Sequence, residues 1–362
     1  MRENLASVEW IILEEIAKGV PQEELTRLLK DNRINWGELI EQAIYHKLLP
    51  MLSWNLLKEN TFELVPPFLN QYFKNILDLN RHKTNIQKAE TVRIVHALNK
   101  KNIKFAITKG MILESTLYNS DGYRYLSDID FMINADDKNN VLEIMDSIGY
   151  KVGMLDWRTH TIKELSPEKH LIYTTTNDHV PEHLIEIDDP IIRYVSVGFA
   201  MSFSWSGSPY NVDISKAFEK LIYNKVSGYE EALFPSLNHA YHFVFVVIHL
   251  FKHAWLDSMQ KWKNDVNLIK FADVMRLWNK FDIQIKEEIF DIIEQFSIEE
   301  PLFWVARHTD DLFGTNITKE LKLTNNVNPN ILHKAYDRRG NAISWKGTMR
   351  NRLQLKERKS IF

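Results

Sequence analysis

The hydrophobic pattern changes period along the chain. From residue 1 to about 80, apolar residues recur at helical spacing. Leu5, Val8, Ile11, Ile12 and Ile16 mark one helix, which Gly19-Val20-Pro21 closes before opening the next. Trp36, Leu39, Ile40, Ala43 and Ile44 form a second stripe, and Pro66-Pro67 marks a further boundary. Residues 68–100 predict one long helix or two, ending at Lys100-Lys101-Asn102. An apolar strand is then predicted over 103–107, a helix over 111–118 and a strand over 127–133. A helix over 141–148 follows, and Gly149-Tyr150 starts another strand. This β-α-β-α-β order predicts a small mixed sheet with helices on it.

Further on the reading is coarser. Residues 168–173 suggest a strand, Asn177-Asp178 a turn, and the run HLIEIDDPII from His183 another strand. Ser202 to Pro209 reads as a Ser/Gly/Pro loop around Trp205, expected to be a mobile flap. Helices are predicted over 237–256, 263–278, 285–296 and 303–313, with no internal repeat. The fold class expected is α+β. A helical region spans 1–80, a mixed-sheet core 81–200, a second helical region 201–333 and a basic tail 334–362.

The stretch FAITKGMILESTLYNSDGYRYLSDIDFMI, residues 105–133, carries the chemistry. On a strand, Asp128 and Asp130 share one face while Ile129, Phe131 and Ile133 share the other. Two adjacent carboxylates resist double ionisation. A divalent cation relieves the repulsion, and Mg²⁺ takes one or two carboxylates plus substrate phosphates. Upstream, Gly110 at a helix start lets a phosphate approach backbone amides, and Lys109 adds a positive charge. Further along, Glu186 and Asp188 share a strand face and either could supply a third acid.

These motifs resemble the nucleotidyltransferases with the DNA polymerase β fold. They are closer still to an uncharacterised nucleotidyltransferase family often encoded near peptide-modification and natural-product genes. The resemblance rests on Lys109-Gly110, Tyr118, Arg124, Ser127 to Asp130 and Gly149-Tyr150, and covers most of residues 30–280. Met111 departs from it, standing where many superfamily members carry Gly or Ser. The resemblance implies Asp128, Asp130 and Glu186 as catalytic carboxylates and ligands of Mg²⁺ or Mn²⁺, with Asp188 at a position often held by His. It implies Lys109, Gly110, Arg124 and Ser127 around an NTP, ATP foremost. A nucleoside monophosphate would pass to a small-molecule, peptide or protein acceptor. Three alternatives stand beside this: a toxin-like tRNA nucleotidyltransferase, a nucleotide-binding protein without turnover, and a helical interaction scaffold with a vestigial site.

Composition narrows these options. There is no cysteine, which excludes disulfides and thiol chemistry. The formal net charge is −3, so no overall basic signature points to nucleic acid. The tail is locally basic, and a solvated, frayed terminus is expected there, with an arm for an acidic peptide or RNA as the second reading. No signal peptide is expected at the N-terminus, nor any membrane span, and the cytoplasm is the expected compartment. His239, His242, His249 and His253 share a face of the 237–256 helix. The segment HLFKH lacks the Glu of a zinc-protease helix, so a polar scaffold face is expected rather than a zinc site.

Overall fold

A computed structural model describes residues 6–119, 121–156, 158–168, 178–256, 265–323, 327–336 and 342–354. The chain forms two compact units. One comprises residues 1–80, 122–125 and 246–362, the other residues 81–121 and 126–245.

The second unit is built on strands β1 (Phe105–Thr108), β2 (Ile129–Ile133), β3 (Lys151–Val152), β4 (Met154–Asp156), β5 (Thr161–Lys163), β6 (His183–Glu186), β7 (Tyr194–Ala200), β8 (Ile222–Val226) and β9 (Tyr229–Ser236). Seven of them form one sheet in the order β3-β6-β7-β2-β1-β9-β8, and β4 and β5 pair separately. β2 runs parallel to β7 and β1 parallel to β9, while the other neighbours are antiparallel. The sheet is therefore mixed and the fold is α+β. It also runs past the boundary expected at residue 200, because β8 and β9 join it from the segment that had read as helical. The strand expected over 168–173 falls almost wholly outside the described residues.

Alternation makes the core of this unit. Ile129, Phe131 and Ile133 of β2 are buried with Ile107, Val197 and Phe199 from the neighbouring strands. The Phe131 ring stacks on Phe199 with centroids 5.3 Å apart. Each such side chain contributes about 1.5–3 kcal/mol by leaving water. Ile94, Val95 and Leu98 join them from a helix that runs unbroken over Pro67–Lys100. It holds no glycine and no proline beyond its first residue, so nothing interrupts its hydrogen-bond ladder. The 202–209 loop, read as a flap, is packed at its start. Phe203 is buried and packs edge-on against Tyr241 and Phe245, with centroids 6.3 and 5.4 Å away.

The first unit is mainly helical. His46 is fully buried there, and its Nδ1 accepts a hydrogen bond from the Leu268 amide at 3.2 Å. The described residues of the basic tail, 334–336 and 342–354, belong to this unit and are held by pairing and ion pairs, which corrects the expectation of a solvated terminus for that part. Lys334–Tyr336 and Ala342–Ser344 pair as a hairpin, and a capping box of Thr348 and Asn351 starts the helix Met349–Leu353. Arg350 donates to Glu14 at 2.6 Å. Arg352 is buried against Asp265, 2.9 Å away, between the faces of Trp304 and Trp345. Lys356, Arg358 and Lys359 lie outside the described residues. Among the described residues, no helix is long and apolar enough to cross a membrane.

Candidate active site on the sheet face

β1 ends at Thr108, and the helix Lys109–Thr116 begins at the next residue. The chain turns sharply enough that Lys109 takes a left-handed conformation, φ 49°. A residue with a Cβ is strained there, and glycine would be the ordinary choice. The strain thus falls on Lys109, while Gly110 continues into the helix. The Lys109 amide donates to His242 Nε2 at 3.0 Å. Its side chain passes over the ring of Phe245, 5.5 Å from the centroid, and its Nζ lies 2.8 Å from Asp130 Oδ1.

Strand pairing sets what surrounds Asp130. Thr108, Asp130 and Gly198 form a row across β1, β2 and β7. A Cβ built on Gly198 would stand 3.7 Å from Asp130 Oδ1, so the absent side chain leaves the carboxylate open on that flank. His183 pairs with Val197, which brings Glu182, one residue before β6, level with Gly198. Across two strand spacings, Glu182 and Asp130 are about 10 Å apart at the backbone and face the same side.

The electrostatics tie these residues together. Partial desolvation pushes the Glu182 carboxyl above its ordinary range although the residue keeps solvent access, the Ser196 hydroxyl that donates to it opposes this, and the charge of Asp128 adds to the rise. Asp128 Oδ1 accepts from the Ser127 hydroxyl at 2.6 Å. Burial lowers the Lys83 ammonium, which Asp128 in turn stabilises. Asp128 therefore lies within electrostatic reach of both Lys83 and Glu182.

The structure thus brings together Asp128, Asp130, Ser127, Lys109 and Gly110, and adds Glu182, Lys83 and His242. Glu186 is not among them. It pairs with Tyr194, four residues along β7 from Gly198, which is about 13 Å of strand rise. Its carboxylate is exposed and meets Arg193 at 3.3 Å. Asp188 lies beyond the end of β6. The acid of this segment that the pairing register sets level with Gly198 and Asp130 is Glu182, four residues before Glu186. Arg124 is also corrected. Its guanidinium is buried and engaged by Asp273, with Nε–Oδ1 3.1 Å and Nη2–Oδ2 2.5 Å, within the helical unit. No sequence signal marks Lys83, which sits inside a long helix. His242 was visible as one member of the histidine face. Two other members, His249 and His253, lie with ring centroids 4.3 Å apart and planes tilted by 40°, and Lys270 Nζ lies 3.3 Å from His253 Nδ1.

Among the described residues, no three His, Asp or Glu side chains are close enough to cage a metal by themselves. The oxygen donors do suit a hard cation that takes part of its shell from substrate phosphates. Lys109 shows that Asp130 already accepts a cationic partner, and Gly198 leaves space beside it. The residues therefore fit Mg²⁺ or Mn²⁺.

A search of curated proteins found no match. A family model described as uncharacterised nucleotidyltransferase matches residues 32–314, well over half of the chain and the whole of the sheet face described above. By that match, the chain belongs to this uncharacterised nucleotidyltransferase family.

Proposed function

We propose that this protein transfers a nucleoside monophosphate from an NTP, with ATP the first candidate, to a hydroxyl or similar group on a small-molecule, peptide or protein acceptor. The observation that supports it most is the Lys109–Asp130 pair at the strand-to-helix turn, 2.8 Å apart, with Asp128 on the same face. Asp128 and Asp130 would hold Mg²⁺ or Mn²⁺. When bound, the ion supplies Lewis-acid neutralisation of the phosphate oxygens. Lys109 and the amides at the start of the 109–116 helix bind the terminal phosphates. Glu182, with its proton affinity raised, is suited to take the acceptor's proton. The acceptor oxygen then bonds to the α-phosphorus, the bond from there to the β-phosphate oxygen breaks, and pyrophosphate leaves.

The tRNA reading drew on the basic tail, and Arg350 and Arg352 are engaged by Glu14 and Asp265. The test uses α-labelled ATP with Mg²⁺ and two acceptor pools, total tRNA and a cell extract freed of nucleic acid. Label entering the extract pool with the wild type but not with Asp130→Asn supports the proposal. Label entering tRNA alone favours the tRNA enzyme. Tight Mg²⁺-ATP binding with neither transfer nor pyrophosphate release favours the binding-only protein.

A further inference from the structure

Lys109 is held at three points, and two of them come from one helix. Asn238 caps the start of the His239–Trp255 helix, its Oδ1 accepting from the Tyr241 amide at 2.9 Å. His242 and Phe245 follow three residues apart and so share one face. His242 accepts the Lys109 amide proton through Nε2, and the Phe245 ring lies under the Lys109 ammonium. The third point is Asp130. His242 is buried, which keeps water from competing for the amide. A strained residue persists only where its surroundings over-determine it, and here a bond from outside the turn holds the strained residue's own amide.

We infer that His242 is a positioning residue: it locks Lys109 in the left-handed conformation that aims the ammonium at the acid pair, and so sets the geometry of the phosphate-binding turn. The acceptor role requires a bare Nε2, so the neutral ring carries its proton on Nδ1. Phe245 restricts the Lys109 side chain to the arc between Asp130 and the start of the 109–116 helix. The inference rests on the nucleotide-site reading for its consequence but not for its geometry. The lock exists whether or not the site turns over.

The test compares His242→Gln with His242→Leu. The two side chains are similar in size, and only glutamine can offer an acceptor near the place of Nε2. Circular dichroism first establishes that both are folded. Hydrogen exchange at the Lys109 amide is then measured, together with binding of Mg²⁺-ATP. In His242→Leu the amide should exchange at least about tenfold faster and Mg²⁺-ATP should bind at least about tenfold more weakly, while His242→Gln recovers most of both, as expected for one buried hydrogen bond. Equal exchange in the two variants reduces His242 to packing and overturns the inference. If the wild type binds no Mg²⁺-ATP while the exchange difference holds, the nucleotide reading fails and the lock stands. A readout on the wild type covers the case where neither variant folds. The ring nitrogen shifts of His242 should show Nδ1 protonated, and a ring protonated at Nε2 overturns the lock.

Discussion

Lys109 Nζ and Asp130 Oδ1 are 2.8 Å apart, and both side chains are largely shielded from solvent. A lysine expected to hold phosphate is therefore bound to a carboxylate expected to hold metal. The two assignments are compatible if the ammonium is exchangeable: it neutralises Asp130 while the site is empty and turns to the phosphates when nucleotide and metal arrive.

From this exchange we predict opposite effects of Lys109→Met on two ligands. Mn²⁺ alone should bind more tightly, by a factor of about 5, since a competing ion pair worth about 1 kcal/mol is gone. Mg²⁺-ATP should bind more weakly. Calorimetric titration reads both, and a variant that weakens both would show that the ammonium never leaves Asp130.

Asp130→Asn should leave the fold intact and abolish nucleotidyl transfer, because the core faces of β2 are made by Ile129 and Phe131. Circular dichroism beside α-labelled ATP transfer checks the two halves. Full activity in a folded variant would remove Asp130 from the site.

The two glutamates of the β6 segment should separate cleanly. Glu182→Gln is expected to lower kcat by at least about 10², the scale of a lost general base. Glu186→Gln should change it less than about threefold, since its exposed pair with Arg193 contributes little. Steady-state rates at saturating Mg²⁺ decide it, and the reverse order would mean that the register of β6 on β7 is wrong.

Arg352 should be structural. Removing one partner of a buried ion pair strands the other, at a cost of about 3–5 kcal/mol. Arg352→Ala should therefore lower the unfolding midpoint strongly by leaving Asp265 uncompensated. Fluorescence of Trp304 and Trp345, which flank the guanidinium, reports on it. A variant as stable as the wild type would return the tail to the role of a loose arm.

Acid should destabilise the helical unit through His308. Burial, aided by the charge of Arg352, pushes its pKa down to about 3 from the ordinary 6.5. Between those values the unfolded chain binds the extra proton, so stability rises with pH. The contribution is complete above pH 6.5 and is lost as pH falls toward about 3, at up to about 1.4 kcal/mol per unit. Urea melts across that range should show this slope in the wild type and a flatter one in His308→Leu, and identical slopes would assign the acid sensitivity elsewhere.

What the sequence by itself determined follows from backbone periodicity, which is local. A side-chain period of two puts Asp128 and Asp130 opposite Ile129 and Phe131 wherever the strand lies. The same parity groups Glu182, Glu186 and Asp188 on one face. The apolar stripes locate the helices, and the Lys109-Gly110 and Ser127-to-Asp130 motifs identify the family. Only the tertiary structure decided which acid lines up with Asp130 across β7, because strand register is set by pairing between distant segments: His183 meets Val197, and Glu182 is carried into line. Arg124 finds Asp273, 149 residues away, and Lys109 finds His242, 133 residues away. No local pattern encodes such partners. They depend on how the strands and helices pack, and that packing put Arg124 in a buried ion pair with Asp273 and made His242 the acceptor for the Lys109 amide.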